Sequence, residues 1–197
     1  GKGVTVKPST LKCIKARGIK SISWSNDDMY GWHNRSLWYT FGLKQYDLVV
    51  TQKSYNCNAN ELPSLGAKVL FQNKAFEPKV HYPVKSCDTY TCVHDVVFVG
   101  AMEEDRLSHL IYLAQNGIKV HVYGWVKEVK NQIHPNLIIH NRFLFEEEFS
   151  AAIGCSKIAL NFLRKMNRAL QTSRSIEIPG CGGFMLAERT DEHMQLF

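Results

Sequence analysis

The residues best suited to chemistry lie at the end of the apolar stretch 157–162 and in the segment that follows it. Asn161, Arg164, Lys165 and Asn167 place two amides and two cations close together, and Ser173 follows them. A guanidinium group presents paired N–H donors that match phosphate oxygens, so these residues predict contacts to a diphosphate. A basic loop in solvent explains the same residues, and composition does not separate the two interpretations.

A second group combines a cation, a carboxylate and a turn of small residues. Arg174 and Glu177 precede Gly180, Gly182 and Gly183, and an apolar stretch follows them. The carboxylate of Glu177 can accept hydrogen bonds from both hydroxyls of a ribose, and glycines allow a backbone to pass close to a ligand. A tight connection into a strand also needs glycines, so the glycines alone do not establish a ligand.

Two neighbouring acids, Asp27 and Asp28, follow Asn26 at the end of an early apolar stretch. Paired carboxylates can hold a metal ion, and one carboxylate can act as a general base. Asn and Asp also form turns and cap helices after strands, which explains the same residues without chemistry. We treat Asp27 and Asp28 as candidate catalytic or acceptor-binding residues.

The apolar stretch 96–99 ends in Gly100, where backbone N–H groups could approach a diphosphate. A tight turn from a strand into a helix explains this glycine without a ligand, and Glu103 and Glu104 disfavour phosphate at that helix start. The chain contains neither the G-x-G-x-x-G nor the Walker glycine-lysine pattern. Standard dinucleotide and triphosphate sites are therefore not expected.

Apolar stretches of strand length alternate with more polar, helix-like segments, which is typical of α/β proteins with mainly parallel sheets. In such sheets ligands bind outside the carboxyl ends of the strands, where all four groups above are predicted to lie. The segment 55–65 ends before Gly66, in the position of a helix stop. Strands are predicted at 19–24, 47–51, 67–71, 95–100, 118–123, 137–140, 157–162 and 184–187. Helices are predicted at 9–17 and 145–153, and a third helix contains the periodic apolar residues of 107–114 and stops at Gly117.

An irregular segment divides the pattern into two halves. Residues 72–94 contain Pro78 and Pro83 and show no sustained period. We therefore predict that residues 1–83 end a first Rossmann-like lobe, that residues 84–94 are a linker, and that residues 95–197 form a second, truncated Rossmann-like lobe.

The composition is that of a globular protein, with 45% hydrophobic and 21% charged residues in 197. The longest apolar runs are shorter than the roughly 20 residues of a membrane span, and no signal pattern is present. The net charge of +6 is dispersed and identifies no partner. Six cysteines without a C-x-x-C pair favour reduced thiols in the cytoplasm, and a zinc site at Cys87 and Cys92 is not favoured.

Several segments resemble a known family. The segments 98–100, 157–168 and, most specifically, 173–192 (SRSIEIPGCGGFMLAERTDE) are similar to the CgeB-type, or spore-maturation-protein-like, branch of GT-B glycosyltransferases, which is related to group 1. The segments 22–28 and 71–83 resemble the end of that family's N-terminal lobe. The resemblance therefore extends over most of the chain.

The resemblance implies two Rossmann-like lobes, with the donor held by the C-terminal lobe and the acceptor mainly by the N-terminal lobe. It implies a hexosyltransferase-like enzyme that moves a sugar from a nucleoside diphosphate sugar to a hydroxyl of a polysaccharide, protein or lipid. Neither a metal nor a cofactor is implied, and nucleic acid is not an implied partner. The implied donor-binding residues are Gly100, Asn161, Arg164, Lys165, Asn167, Ser173, Arg174, Glu177, Gly180, Gly182 and Gly183, and the candidate bases are Asp27 and Asp28.

Two features depart from the family pattern. Glu177 matches the second acid of the E-x7-E motif of related retaining transferases, but Ala169 occupies the position of the first acid. Retention of stereochemistry is therefore not implied. A complete enzyme of this kind has roughly 150–200 residues more than a single domain of typical size, so we expect the chain to be part of a longer protein.

Other classes of function stay open. A transferase fold that has lost its chemistry fits the missing acid and would bind a nucleotide or nucleotide sugar without turnover. A phospho-receiver-like signalling domain would use Asp27 and Asp28 but needs another aspartate after a later strand, where Val50 and Thr51 stand. Nucleic-acid binding would use the positive charge, yet no motif or aromatic-basic pattern supports it.

Overall fold

The computed structural model describes residues 6–88, 90, 93–124 and 133–197. The chain forms two compact units, one of residues 1–74 with 164–170 and one of residues 75–163 with 171–197. Each unit contains one parallel β-sheet with helices, which confirms the predicted α/β class. Among the described residues, no helix has both the length and the apolar character that crossing a membrane requires.

The first unit is built on a small parallel sheet whose strands lie in chain order. The central strand of this sheet buries Val49, Val50 and Thr51, which are β-branched residues that suit a pleated, covered surface. The elements of the unit are α1 Pro8–Ala16, β1 Ile22–Ser25, α2 Leu37–Gly42, β2 Leu48–Thr51 and β3 Val69–Phe71, with short 3-10 helices at Leu43–Gln45, Ser54–Cys57, Leu62–Leu65 and Lys165–Asn167.

Local chemistry explains where the helices of the first unit begin and end. Pro8 occupies the first turn of α1, where a missing N–H costs nothing. Ser36 caps α2 by accepting a hydrogen bond from Tyr39 N at 3.1 Å. The segment 55–65 forms parts of two 3-10 helices, because Pro63 lacks an N–H and therefore fits only the first turn of a helix. Gly66, with φ of +84°, ends the second of them as predicted.

The second unit has the strand order of a doubly wound sheet. Its elements are β4 Val96–Val99, α3 Glu104–Gln115, β5 Val120–Tyr123, β6 Leu137–Ile139, α4 Glu146–Gly154, β7 Ile158–Asn161, α5 Arg174–Gly180, β8 Met185–Ala187 and α6 Asp191–Leu196. All five strands are parallel and lie in the order β6, β5, β4, β7, β8. The order therefore reverses between β4 and β7, and ligands of such sheets bind outside the carboxyl ends of the strands at this switch point.

Both faces of β4 are covered. Val97 and Val99 pack in a core with residues of α4 and α5, whereas Val96 and Phe98 pack in a core with residues of α3. All four residues of the strand are buried. This double burial explains why β4 reads as a continuous apolar run and not as an alternation.

Residues 174–180 form the helix α5, directly before the expected turn of small residues. Pro179 disfavours a helix locally, because it lacks an N–H and its ring crowds the preceding turn. Tertiary burial compensates, since Ser175 and Ile178 are fully buried. Local propensity was therefore a poor guide at this position.

Cys87 and Cys155 form a disulfide, with their Cα atoms 5.5 Å apart. The expectation of reduced thiols is therefore wrong at these two positions, and the cytoplasmic location loses that support. The sequence did not indicate the pair because 68 positions separate the two cysteines. Cys13, Cys57 and Cys181 are free thiols, and Cys92 lies outside the described residues.

The boundary between the two compact units falls between Lys74 and Ala75, and not within the predicted linker 84–94. Residues after this boundary pack against helices of the second unit. The ring of Phe76 lies beside Gly180, and Ser150 Oγ donates to Val80 O at 2.6 Å. These contacts tie an irregular segment to its sheet without periodicity that a sequence could reveal.

The loops after β4 and β5 approach each other at two glycines. Gly100 N donates to Tyr123 O at 2.9 Å, and a Cβ atom at Gly124 would lie only 2.1 Å from Gly100 O. Gly124 also has φ of +133°, a conformation that other residues rarely adopt. The two glycines therefore set how closely these loops pack at the carboxyl edge of the sheet.

Replacing Gly124 by alanine should lower the free energy of unfolding by about 3 kcal/mol or more, because the new methyl group meets a backbone carbonyl. Gly117→Ala is the matched control, since Gly117 has φ of +81° but no atom within 4 Å of its Cβ position. We expect it to cost about 1 kcal/mol. Urea unfolding followed by circular dichroism measures both variants, and equal losses would contradict the close approach of the loops.

Candidate functional site

Arg174, at the start of α5, lies at the carboxyl end of β4. Its Nε donates to Val99 O at 2.9 Å, and its guanidinium lies 4.6 Å from the centroid of the Phe149 ring. The side chain is 31% exposed. A cation held by a strand-end carbonyl and an aromatic face at the switch point is positioned to meet an anionic ligand.

Glu177 lies one turn further along α5 and contacts the same guanidinium. Its Oε2 accepts a hydrogen bond from Arg174 Nη1, and its Oε1 lies 3.9 Å from Nε2 of His81. The His81 ring meets Phe149 edge-on, with centroids 5.4 Å apart. A carboxylate, a guanidinium and an imidazole therefore share one location, which offers acceptors for hydroxyl groups and donors for phosphate oxygens.

A buried network of hydrogen bonds centres on the Ser175 hydroxyl. It accepts from Asn161 Nδ2 and from Thr172 N, each at 3.0 Å, and it lies 2.8 Å from His193 Nε2. The other ring nitrogen of His193 lies 2.8 Å from the carbonyl of Glu188, which can only accept. His193 with its hydrogen on Nδ1 satisfies both contacts, so the Ser175 hydroxyl donates to Nε2.

The second unit collects five of the predicted donor-binding residues at one edge. Gly100 follows β4, Asn161 ends β7, and Ser173, Arg174 and Glu177 lie at or within α5. Ser173 is exposed and its carbonyl accepts the N–H of Glu177 at 3.0 Å, while Asn161 is 3% exposed. Asn161 therefore acts through its buried partners, and Ser173, Arg174 and Glu177 form the more accessible part.

The glycines at the end of α5 and directly after it pack against other residues of the second unit. A Cβ atom at Gly180 would lie 3.0 Å from the ring of Phe76, one at Gly182 would lie 3.3 Å from Pro83, and one at Gly183 would lie 2.8 Å from Ile153. Gly182 also has φ of +75°. The structure thus gives Gly180, Gly182 and Gly183 a packing role at the end of α5.

The structure places Arg164, Lys165 and Asn167 in the first unit, together with Asp27. Asn167 Nδ2 donates to Asp27 Oδ1 at 2.8 Å, and Arg164 Nη1 lies 3.9 Å from the same oxygen. The Asp27 side chain is 43% exposed. The fold therefore brings a candidate base next to two residues that were predicted to bind the donor, and Lys165 is exposed nearby in the chain.

Asp28 is 1% exposed and belongs to a buried ion-pair cluster. Arg168 Nε donates to its Oδ2 at 2.7 Å, and Asn56 Nδ2 donates to its Oδ1 at 2.9 Å. Burial alone would raise the pKa of Asp28, but the hydrogen bonds from Arg168 and Asn56 and the Arg168 charge hold it below the usual value of 3.8. A carboxylate held ionised in this way is a weak base, so Asp27 is the better placed of the two acids.

Arg168 also joins Glu61 to this cluster, through hydrogen bonds of 2.7 Å and 2.9 Å. Four residues of these clusters were not predicted as site residues: Glu61, His81, Ser175 and His193. Each of them has at least one partner that is distant in the chain, and no spacing pattern singles it out. Only the folded contacts reveal their roles.

The C-terminal half of the chain matches a known family model. Residues 104–197 match the model of a family described as glycosyl transferase-like. This range contains Arg174, Glu177 and the network around Ser175. No curated protein matches the chain.

Two solved structures are similar to this chain over most of its length. One is "alpha-glucosyltransferase in complex with UDP-glucose and DNA containing an abasic site", with a TM-score of 0.52 and 11% identity over 93% of this chain and 57% of that chain. The other is "alpha-glucosyltransferase in complex with UDP and a 13-mer DNA containing a central A:G mismatch", with a TM-score of 0.52 and 14% identity over 93% and 56%. The chain therefore spans little more than half of their length. The similarity confirms the predicted Rossmann-like, GT-B type of fold.

Arg168→Met should lower the free energy of unfolding by about 2–3 kcal/mol, because it leaves Asp28 and Glu61 buried without their cation. This loss is smaller than for a fully buried pair, since the Arg168 side chain is 47% exposed. Arg164→Met is the matched control, because Arg164 is 48% exposed and its ion pair with the exposed Asp27 spans 3.9 Å, and it should cost less than about 1 kcal/mol. Urea unfolding at neutral pH measures the free energy of unfolding of both variants. Equal losses in Arg168→Met and Arg164→Met would contradict the ion-pair cluster.

The same cluster predicts a loss of stability in acid. The pKa of Asp28 is lower in the folded chain than its usual value of 3.8, so the unfolded chain binds the proton first. The contribution of Asp28 is therefore complete above the unfolded pKa and is lost as the pH falls through the folded pKa. Urea unfolding from pH 6 to pH 3 should show a steeper loss for the natural chain than for Asp28→Asn, and identical slopes would contradict this assignment.

Proposed function

We propose that this chain is part of a CgeB-type glycosyltransferase that moves a sugar from a nucleoside diphosphate sugar to an acceptor hydroxyl without a metal ion. The observation that carries this proposal is the position of Arg174, tied to Val99 O at the end of β4 with Glu177 beside it. This is the switch point where doubly wound sheets bind nucleotides. The family match over residues 104–197 supports the proposal because it contains both residues.

Arg174 offsets the charge of the leaving group in this proposal. When the bond between the anomeric carbon and the diphosphate oxygen breaks, negative charge builds up on the diphosphate. A guanidinium that is already oriented by Val99 O and the Phe149 ring stabilises this charge without first being reoriented. Arg164 and Lys165, which belong to the first unit, stay predicted donor-binding residues.

Glu177 positions the nucleoside part of the donor. Its two carboxylate oxygens can accept hydrogen bonds from the two hydroxyls of a ribose, and hydrogen bonds to a carboxylate are stronger than those between neutral groups. The similarity to an alpha-glucosyltransferase that was solved with UDP-glucose makes UDP the first nucleotide to test. The DNA in those structures belongs to those proteins, and we propose only a hydroxyl as the acceptor here.

Asp27 is the candidate base of the reaction. It is more exposed than Asp28, and Asn167 and Arg164 orient its carboxylate. In this role Asp27 would take the proton of the acceptor hydroxyl as its oxygen attacks the anomeric carbon. In the same proposal Asp28 has a structural role, because its hydrogen bonds with Arg168 hold the backbone next to Asp27 in place.

Calorimetric titration of the chain with UDP, GDP, TDP and their sugars, with and without Mg²⁺, tests the proposal. One nucleotide should bind equally well without Mg²⁺ and should raise the melting temperature. Glu177→Gln should weaken this binding about 10- to 100-fold, because it loses hydrogen bonds to a charged acceptor. Glu148→Gln is the matched control, since Glu148 is an exposed acid that pairs with Arg142, and it should bind as the natural chain does.

The outcomes separate the proposal from its alternative. Unchanged affinity in Glu177→Gln, or no nucleotide binding by a folded chain, would contradict the assigned donor site, and binding that needs Mg²⁺ would contradict metal independence. Nucleotide binding without any transfer of sugar would favour the inactive binding module. The inactive binding module is favoured by one observation: Ala169, which is 7% exposed, stands at the position of the missing acid.

A further inference from the structure

Three histidines of the second unit lie together on one face of its sheet. One ring nitrogen from each of His94, His121 and His140 lies within 4.8 Å of the others, and all three residues are half-buried. His121 Nδ1 and His140 Nε2 are 3.0 Å apart, and the rings of His94 and His121 are stacked with centroids 3.5 Å apart. The three histidines are far apart in the chain, so the fold brings them together.

The backbone of each histidine is fixed by the sheet or its flanking turns. His121 lies within β5, in register with Val97 of β4 and Ile138 of β6. His140 directly follows β6, and its N–H donates to Val122 O at 2.9 Å. The carbonyl of His94 accepts the N–H of Lys157 at 3.0 Å. Three imidazoles on a rigid scaffold lose little entropy when they bind a common partner.

His121 Nδ1 and His140 Nε2 face each other at hydrogen-bond distance, so a single hydrogen atom lies between them when the two rings are hydrogen-bonded. A metal ion can take the place of this hydrogen, because a neutral imidazole presents a lone pair that binds transition metals. At metal–nitrogen distances of about 2.0–2.1 Å, tetrahedral ligands lie roughly 3.3 Å apart, which is close to the spacing of this pair. The hydroxyl of Tyr123, 2.7 Å from His94 Nε2, adds an orienting partner.

We propose that His94, His121 and His140 bind one divalent ion of the borderline class that prefers imidazole, with Zn²⁺ as the representative ion. Three protein ligands leave a fourth position for water or another ligand. The lone pair of an imidazole nitrogen lies in the plane of its ring, so two stacked rings do not point their lone pairs at one ion. When His94 and His121 share an ion, their rings therefore rotate about χ2, which is a soft torsion in histidine.

The site joins the segment before β4 to β5 and to the end of β6, so the bound ion clamps three neighbouring parts of one sheet. It is independent of the sugar transfer proposed above, which uses other residues and no metal. Hard cations such as Mg²⁺ prefer oxygen ligands and are not expected to bind here. Binding of Zn²⁺ should therefore stabilise the folded chain by mass action, whereas Mg²⁺ should not.

Calorimetric titration of the EDTA-treated chain with Zn²⁺ tests this proposal. We expect one high-affinity ion per chain and a rise in melting temperature that Mg²⁺ does not produce. His121→Gln and His140→Gln should each weaken binding by about 100-fold or more, since each removes one ligand. His109→Gln is the matched control, because His109 is an exposed histidine on α3 outside the cluster, and it should bind Zn²⁺ as the natural chain does.

X-ray absorption at the zinc edge of the natural chain provides a test that needs no variant. The expected shell has nitrogen or oxygen ligands at about 2.0–2.1 Å with the scattering pattern of imidazole. A shell dominated by sulfur at about 2.3 Å would assign the ion to cysteines and overturn the proposal. The absence of binding by the natural chain, or equal binding by His121→Gln and His109→Gln, would also overturn it.

Discussion

The buried hydrogen-bond network around Ser175 is the constraint on which the candidate site depends. The helix α5 has only seven residues and contains Pro179, so it has little stability of its own. Asn161 at the end of β7 holds it through the Ser175 hydroxyl, and Ile178 anchors it in the core. The carboxyl edge of the sheet therefore positions α5, and α5 in turn positions Arg174 and Glu177.

The same arrangement separates two kinds of polar residue at the site. Ser175 and Asn161 are almost completely buried and satisfy one another, which is the condition under which polar groups can remain inside a protein. Arg174 and Glu177 are partly exposed and contact each other, Val99 O, the Phe149 ring and His81. A rigid inner layer thus supports an accessible outer layer, as a binding site requires.

The buried cluster of the first unit is held by the charged guanidinium of Arg168, whereas the buried network of the second unit centres on the Ser175 hydroxyl. Arg168 forms ion pairs with Asp28 and with Glu61, and residues 164–170 belong to this unit through these contacts. The chain between β7 and α5 consequently contributes to both units. Asp27 next to Arg164 and Asn167 is the part of this unit whose chemistry fits a role in catalysis.

Sequence patterns correctly indicated most strands of both sheets. The apolar run of β4 and the helical spacing of α3 are local signals, because strand and helix periodicity is set by neighbouring residues. The residues at strand ends that could contact a ligand were also recognisable, since strands of parallel sheets end at one edge. The alternation of elements was therefore sufficient to predict the fold class.

The tertiary structure alone decided which polar residues meet. The disulfide between Cys87 and Cys155, the contact of Arg168 with Asp28 and the cluster of His94 with two later histidines all join residues far apart in the chain. Such contacts leave no period in a single sequence, because their spacing depends on how the strands and loops pack. Local sequence patterns thus specify the elements and the edge of the sheet where chemistry is expected, whereas packing specifies the partners of each side chain.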